Sequence, residues 1–154
     1  MSEDRDPFLH LKESNGSLMF LWCRLDDALS DALEDRARTV RRKMGGSFHE
    51  RLLRLKSVAD RELKADPTRA AKMCDLLIRL DNARRQRNLI VHSLSGVCAD
   101  PVKGEPHLTC ENNGEPVRIT QRALTALLEE MDRCRQQLGR VSNRSGLRRD
   151  DPNR

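Results

Sequence analysis

Leu18, Leu21, Trp22, Leu25, Ala28, Leu29, Ala32 and Leu33 recur at steps of three and four. That spacing constrains the chain more than anything else in it. An α-helix turns about 100° per residue, so such steps gather side chains on one face. The same period returns in three later blocks. Phe48, Leu52, Leu55, Val58, Ala59 and Leu63 form one, and Ala70, Met73, Leu76, Leu77, Leu80 and Ala83 the next. Leu124, Leu127, Leu128, Met131, Cys134 and Leu138 form the last. Aromatic residues are only 3% of the 154 and Tyr is absent, so Leu, Ala, Val and Met must fill the core. Such a core suits helices packed on helices better than a β-sandwich.

Punctuation between the blocks sets their ends. The first helix is expected from Asn15 through Ala37 and Val40, and Gly45-Gly46 then breaks it. Ser47-Phe48-His49-Glu50 has the layout of a capping box, and Asp66-Pro67 supplies an N-cap followed by Pro at the first helical position. After Ser93 the texture changes. Pro106–Glu111 and Glu115–Ile119 are β-like, and Asn112-Asn113-Gly114 between them predicts a hairpin turn. A last helix starts near Thr120. The expected architecture is all-α: a bundle of four main helices with a short β-hairpin before the last. Residues 1–13 are expected as a flexible arm, 14–141 as the domain, and 142–154 as a tail too polar to fold. Leu18–Trp22 is apolar all round, so Met19 and Phe20 mark either a deep central helix end or a dimer contact.

Formal charge is +5, a modest excess that agrees with a polyanionic partner without requiring one. Five cysteines at wide spacing, with no C-x-x-C, read as reduced thiols. Cys23, Cys74 and Cys134 fall among apolar helical residues, where free Cys serves as a small hydrophobe. His10, His49 and His107 stand apart, and no pair has metal-ligand spacing, so no metal and no cofactor is expected. The start of the chain lacks the basic-then-apolar layout of a signal peptide, and no run approaches about 18 apolar residues. A cytoplasmic protein with no membrane contact is expected.

Arg87-Asn88-Leu89-Ile90-Val91-His92 carries the densest chemistry. Arginine holds phosphate, and histidine moves a proton near neutral pH. On a helix, Arg84, Asn88 and His92 share one stripe, while Arg87 aligns with Ala83 and Val91 on the next, leaving Leu89 and Ile90 to pack inward. One such ridge is a thin site, whereas two across a two-fold axis would surround a phosphate. Taken alone, the same residues also suit a plainer use: Arg87 and Asn88 bridging helix ends, and His92 as a cation at a helix C-terminus.

The sequence Arg87-Asn88-x-x-x-His92 resembles the R-x4-6-H motif of HEPN domains, including the Asn that often follows the Arg. The order of helices around it, over most of residues 15–140, is similar too. Many HEPN domains are metal-independent endoribonucleases acting as homodimers, several of them toxins or phage-defence components. The resemblance implies His92 as general acid or base, Arg87 on the scissile phosphate and Asn88 orienting either. RNA is the implied substrate and a 2′,3′-cyclic phosphate the implied product. Arg84 and Arg85 adjoin the motif and are expected to track the RNA backbone. HEPN toxins paired with a nucleotidyltransferase antitoxin often carry Tyr two residues after the His. Leu94 stands there in this chain, so any cognate antitoxin or regulatory protein would restrain it by other means. The alternative is a non-catalytic HEPN-fold interaction, regulatory or nucleotide-binding protein.

Overall fold

A computed structural model describes residues 8–34, 45–62, 64–98 and 104–146. The chain is mostly helical. Four helices, α1 (Leu9–Glu34), α2 (Phe48–Glu62), α3 (Pro67–Ser93) and α4 (Gln121–Gly146), surround one leucine-rich core. α1 lies along α4, α2 bridges α1 and α3, and α3 closes the ring on α4. No helix among the described residues is long and apolar enough to cross a membrane.

The local signals act as expected. The backbone N–H of Ser47 donates to Glu50 Oε2 at 2.7 Å, and the N–H of Glu50 donates to Ser47 Oγ at 3.3 Å. That reciprocal pair satisfies two of the donors a helix start leaves open. Asp66 Oδ1 accepts from the N–H of Arg69 at 3.0 Å, with Pro67 at the first turn. Thr120 Oγ1 caps α4 by accepting from the N–H of Ala123 at 3.1 Å.

Two boundaries differ from expectation. α1 begins at Leu9, six residues before Asn15, so residues 9–13 belong to the helix and not to an arm. Leu11 is buried, and this anchors the added turns. α4 continues to Gly146, past the start of the expected tail at Ser142. The expected extension of the first helix to Ala37 and Val40, the end of the second at Leu63, and residues 1–7 and 147–154 lie outside the described residues.

The hairpin is real but incomplete as an account of the β-structure. β2 (His107–Asn112) and β3 (Glu115–Thr120) pair antiparallel through the two-residue turn Asn113-Gly114, with φ of 53° and 81°. Positive φ at both positions is the type I′ geometry that matches strand twist. A further strand, β1 (Leu94–Cys98), pairs with β2, so the unit is a three-stranded antiparallel sheet in the order β1-β2-β3. β1 follows α3 with no intervening loop. Leu94 is opposite Cys110 and Gly96 opposite Thr109, so Ser95 is an extra residue in a bulge, where its Oγ donates to Thr109 O at 3.0 Å. The bulge disrupts the alternation by which strands are read. Leu108 and Cys110, two apart on β2, point into the core beneath α3.

Arg79 fastens α3 to α4. Its guanidinium bonds Glu130 through Nε, and its Nη1 donates to Gln137 Oε1 at 3.0 Å. The hydrogen bond from Arg79 holds the Glu130 carboxyl below its usual value, against the opposing effect of burial. A carboxylate depressed in the fold contributes stability that is complete above its ordinary value of 4.5 and is lost as pH falls through the folded value. Denaturation midpoints measured from pH 7 downward should therefore hold steady to about pH 5 and then decline. Glu130→Gln should flatten part of that decline while lowering stability at pH 7. An unchanged acid profile in the variant would show that Glu130 plays no part in it.

Free thiols divide by burial. Cys110 and Cys134 are buried, and burial pushes the Cys134 thiol up to about 12. Cys23 and Cys74 are exposed, contrary to the expectation that they pack as small hydrophobes.

Candidate functional site

The stripe Leu76, Leu80 and Ala83 carries α3 through the core. Arg87 follows Leu80 by seven residues and Ala83 by four, so it emerges where the next leucine of that stripe would stand. Its stem is half-buried as a result, and its guanidinium carbon lies 5.0 Å from the centroid of the Trp22 ring on α1. Trp22 in turn packs against Phe48, the first residue of α2, with ring centroids 4.4 Å apart and planes at 38°. Three helices therefore converge under one arginine. A cation over an aromatic face is held without losing its hydrogen-bonding fork.

Arg87 Nη1 donates to Asn88 Oδ1 at 3.1 Å. Arg87 Nε is screened from solvent and has no hydrogen-bond partner among the described residues. A buried N–H without an acceptor costs free energy. Asn88, half-buried on the outer side, is the neighbour that fixes the fork's direction. His92 occupies the last turn of α3, is exposed, and makes no hydrogen bond among the described residues. Ile90 is buried and Leu89 packs against the core, as the helical spacing predicts.

Of the expected site residues, the structure joins Arg87 and Asn88 directly and sets His92 one turn beyond Asn88 on the same stripe. Arg84 and Arg85 are otherwise engaged. Arg84 donates through Nε and Nη2 to Asp81 Oδ1 at 2.9 and 2.8 Å, and Arg85 through Nε to Asp81 Oδ2 at 2.8 Å. His49 Nδ1 stands 3.8 Å from the same carboxylate. Burial pushes the Asp81 carboxyl up, but the hydrogen bonds from Arg84 and Arg85 outweigh it and hold the group below its usual range. The two arginines and Asp81 together carry one net positive charge, a weaker lure for RNA than two free cations.

Trp22 and Phe48 were not among the expected site residues. Their one sequence signal is that the chain's single Trp lies in the turns of α1 that are apolar all round. Neither a protein-family model, nor a curated protein, nor a solved structure matches the chain.

What one copy offers is a guanidinium held on an aromatic ring, an amide beside it and one exposed imidazole. Cleavage of RNA by its own 2′-hydroxyl requires a proton taken from O2′ and another delivered to the leaving O5′, on opposite sides of phosphorus. A single imidazole per copy serves one of those positions at a time.

Proposed function

We propose that the protein is a homodimeric, metal-independent endoribonuclease of HEPN type, with Arg87, Asn88 and His92 of both copies forming one site. The observation that carries this is the Arg87 guanidinium, seated on Trp22 and bonded to Asn88 through Nη1. An arginine so fixed has its geometry set before substrate arrives, which is how electrostatic stabilisation becomes large. O2′ attacks phosphorus as one His92 takes its proton. The P–O5′ bond breaks as the other His92 gives a proton to O5′, leaving a 2′,3′-cyclic phosphate and a 5′-hydroxyl. Arg87 neutralises charge gathered on the non-bridging oxygens. A toxin or phage-defence role, with RNA as substrate and a regulatory protein as restraint, is the setting that the motif's resemblance suggests.

The ion pairing of Arg84 and Arg85 with Asp81 favours a second reading, a non-catalytic HEPN-fold interaction module. One experiment separates the two. End-labelled RNA is incubated in EDTA with wild type and with His92→Ala. Wild type should leave cyclic-phosphate ends and the variant should not. Equal degradation by both, or none by either, rejects the nuclease.

A further inference from the structure

Asp81 gathers basic groups from two helices. Its Oδ1 accepts from Nε and Nη2 of Arg84, its Oδ2 accepts from Nε of Arg85, and His49 Nδ1 of α2 stands 3.8 Å from Oδ1. A guanidinium carries its N–H groups in a rigid fork, so each arginine spends an inner edge on the carboxylate and keeps donors on its outer edge. Arg85 is exposed, and its Nη1 and Nη2 have no partner among the described residues. His49 is exposed as well, and at 3.8 Å its ring is too far from Asp81 for a hydrogen bond. Three side chains with nitrogen donors to offer thus surround one carboxylate.

The first turn of α2 sets where this cluster lies. The reciprocal bonds between Ser47 and Glu50 fix that turn, and its first two residues then point in different directions. Phe48 packs on the Trp22 ring that seats Arg87, while His49, about 100° further round the helix, turns to Asp81. Asp81, Asn88 and His92 follow one flank of α3 at steps of seven and four. The cluster therefore adjoins the Arg87–Asn88 pair, six residues or about 9 Å along the axis from Arg87.

We infer that His49, Arg84 and Arg85, held together by Asp81, form a second phosphate subsite for the RNA strand whose scissile phosphate lies at Arg87. The subsite rests on the nuclease reading and names what holds the strand beside the bond to be cut. His49 sets its charge. With the ring neutral the cluster carries one net positive charge, and with the ring protonated it carries two. The charged groups facing the ring are Asp81, Arg84 and Arg85 on α3, while Glu50 beside it on α2 is bonded to the Ser47 N–H. A phosphate set among the three basic groups brings the negative charge that a protonated ring then meets. Binding therefore takes up a proton, and RNA is held more tightly at pH 6 than at pH 8. Because Asp81 orders both guanidiniums before RNA arrives, less side-chain freedom is lost on binding.

Binding is measured in the full chain carrying His92→Ala, which leaves RNA intact and removes the motif imidazole from the titration. A labelled single-stranded RNA is the probe, at pH 6 and pH 8 and over a range of salt. Adding His49→Ala should weaken binding roughly three- to tenfold at pH 6 and change it little at pH 8. The salt slope at pH 6 should fall by about 0.7, the share of one phosphate contact on a single strand. His49→Lys is charged at both pH values, so it should bind at pH 8 as its parent binds at pH 6. A merely structural role for His49 predicts neither result. With His92 restored, His49→Ala should raise KM at pH 6 and leave kcat unchanged. Melting should not move, since the ring is exposed. Equal affinity of His49→Ala and its parent at pH 6, a loss of equal size at both pH values, or the parent's full pH dependence in His49→Lys overturns the subsite. If His49 governs binding in this way while wild type leaves RNA intact, the subsite stands and the nuclease is rejected. If wild type cleaves through His92 while the His49 variants bind and cleave as their parents do, the nuclease stands and the subsite falls.

Discussion

Arg87→Ala is expected to lower RNA cleavage by about 100- to 1,000-fold, the range for losing one preorganised donor aimed at developing charge. Global stability should change little. The removed guanidinium gives up one cation–π contact, about 0.5–1 kcal/mol at a partly open site, and relieves a buried N–H that has no acceptor. These two effects oppose each other. Activity and melting should therefore part company in this variant. Arg87→Lys keeps the charge but replaces a planar fork with a point charge that cannot both stack on Trp22 and bond Asn88. It should recover only a small part of the loss. Trp22→Leu tests the platform itself. With Arg87 intact but unseated, cleavage should drop roughly tenfold, chiefly in kcat, because the fork must then be ordered during the reaction. Initial rates on a labelled RNA in EDTA, set beside thermal melts of the same preparations, measure all three. Wild-type rates in Arg87→Ala would remove Arg87 from the chemistry.

Most of the helical frame is legible in sequence because its causes are local. Ser47 with Glu50, Asp66 with Pro67, and Asn113-Gly114 each act within four residues, and each does in the structure what its spacing predicts. Leu124 through Leu138 form a face for the same reason. What escapes the sequence depends on partners far along the chain. Leu11 secures the first turns of α1 only by tertiary burial, which no periodicity in the polar segment around it announces. β1 is a strand because Cys110, Thr109, Leu108 and His107 lie beside it, and its bulge at Ser95 conceals the two-residue period.

The candidate site divides along the same line. Arg87 and Asn88 are neighbours in sequence, and their contact follows from that. The ring beneath Arg87 comes from Trp22, 65 residues earlier, and only the folded chain brings them together. Asp81 is a different case. It precedes Arg84 and Arg85 by three and four residues, the spacing at which helical ion pairs form, so its capture of both was present in the sequence as a pattern. Asp81 thereby lowers the net charge that this turn of α3 presents.

Leu80→Ala should cost about 3–5 kcal/mol of stability, whereas Ile78→Ala, two residues away on the same helix, should cost within about 0.5 kcal/mol. Leu80 is 0% exposed in the middle of the α3 stripe, among residues of all four helices, so truncation removes its transfer energy and leaves a cavity that a close-packed core closes only partly. Ile78 is 56% exposed and loses little that water does not already reach. Urea denaturation of both variants and wild type measures the difference, with equal slopes verifying a two-state comparison. The contrast bears on function because Leu80 and Arg87 are seven residues apart on one face. The rotation of α3 that buries Leu80 is the rotation that brings Arg87 over Trp22. Were Ile78→Ala the costlier change, α3 would be turned the other way, Arg87 would project into solvent far from α1, and its seat on the Trp22 ring would not exist.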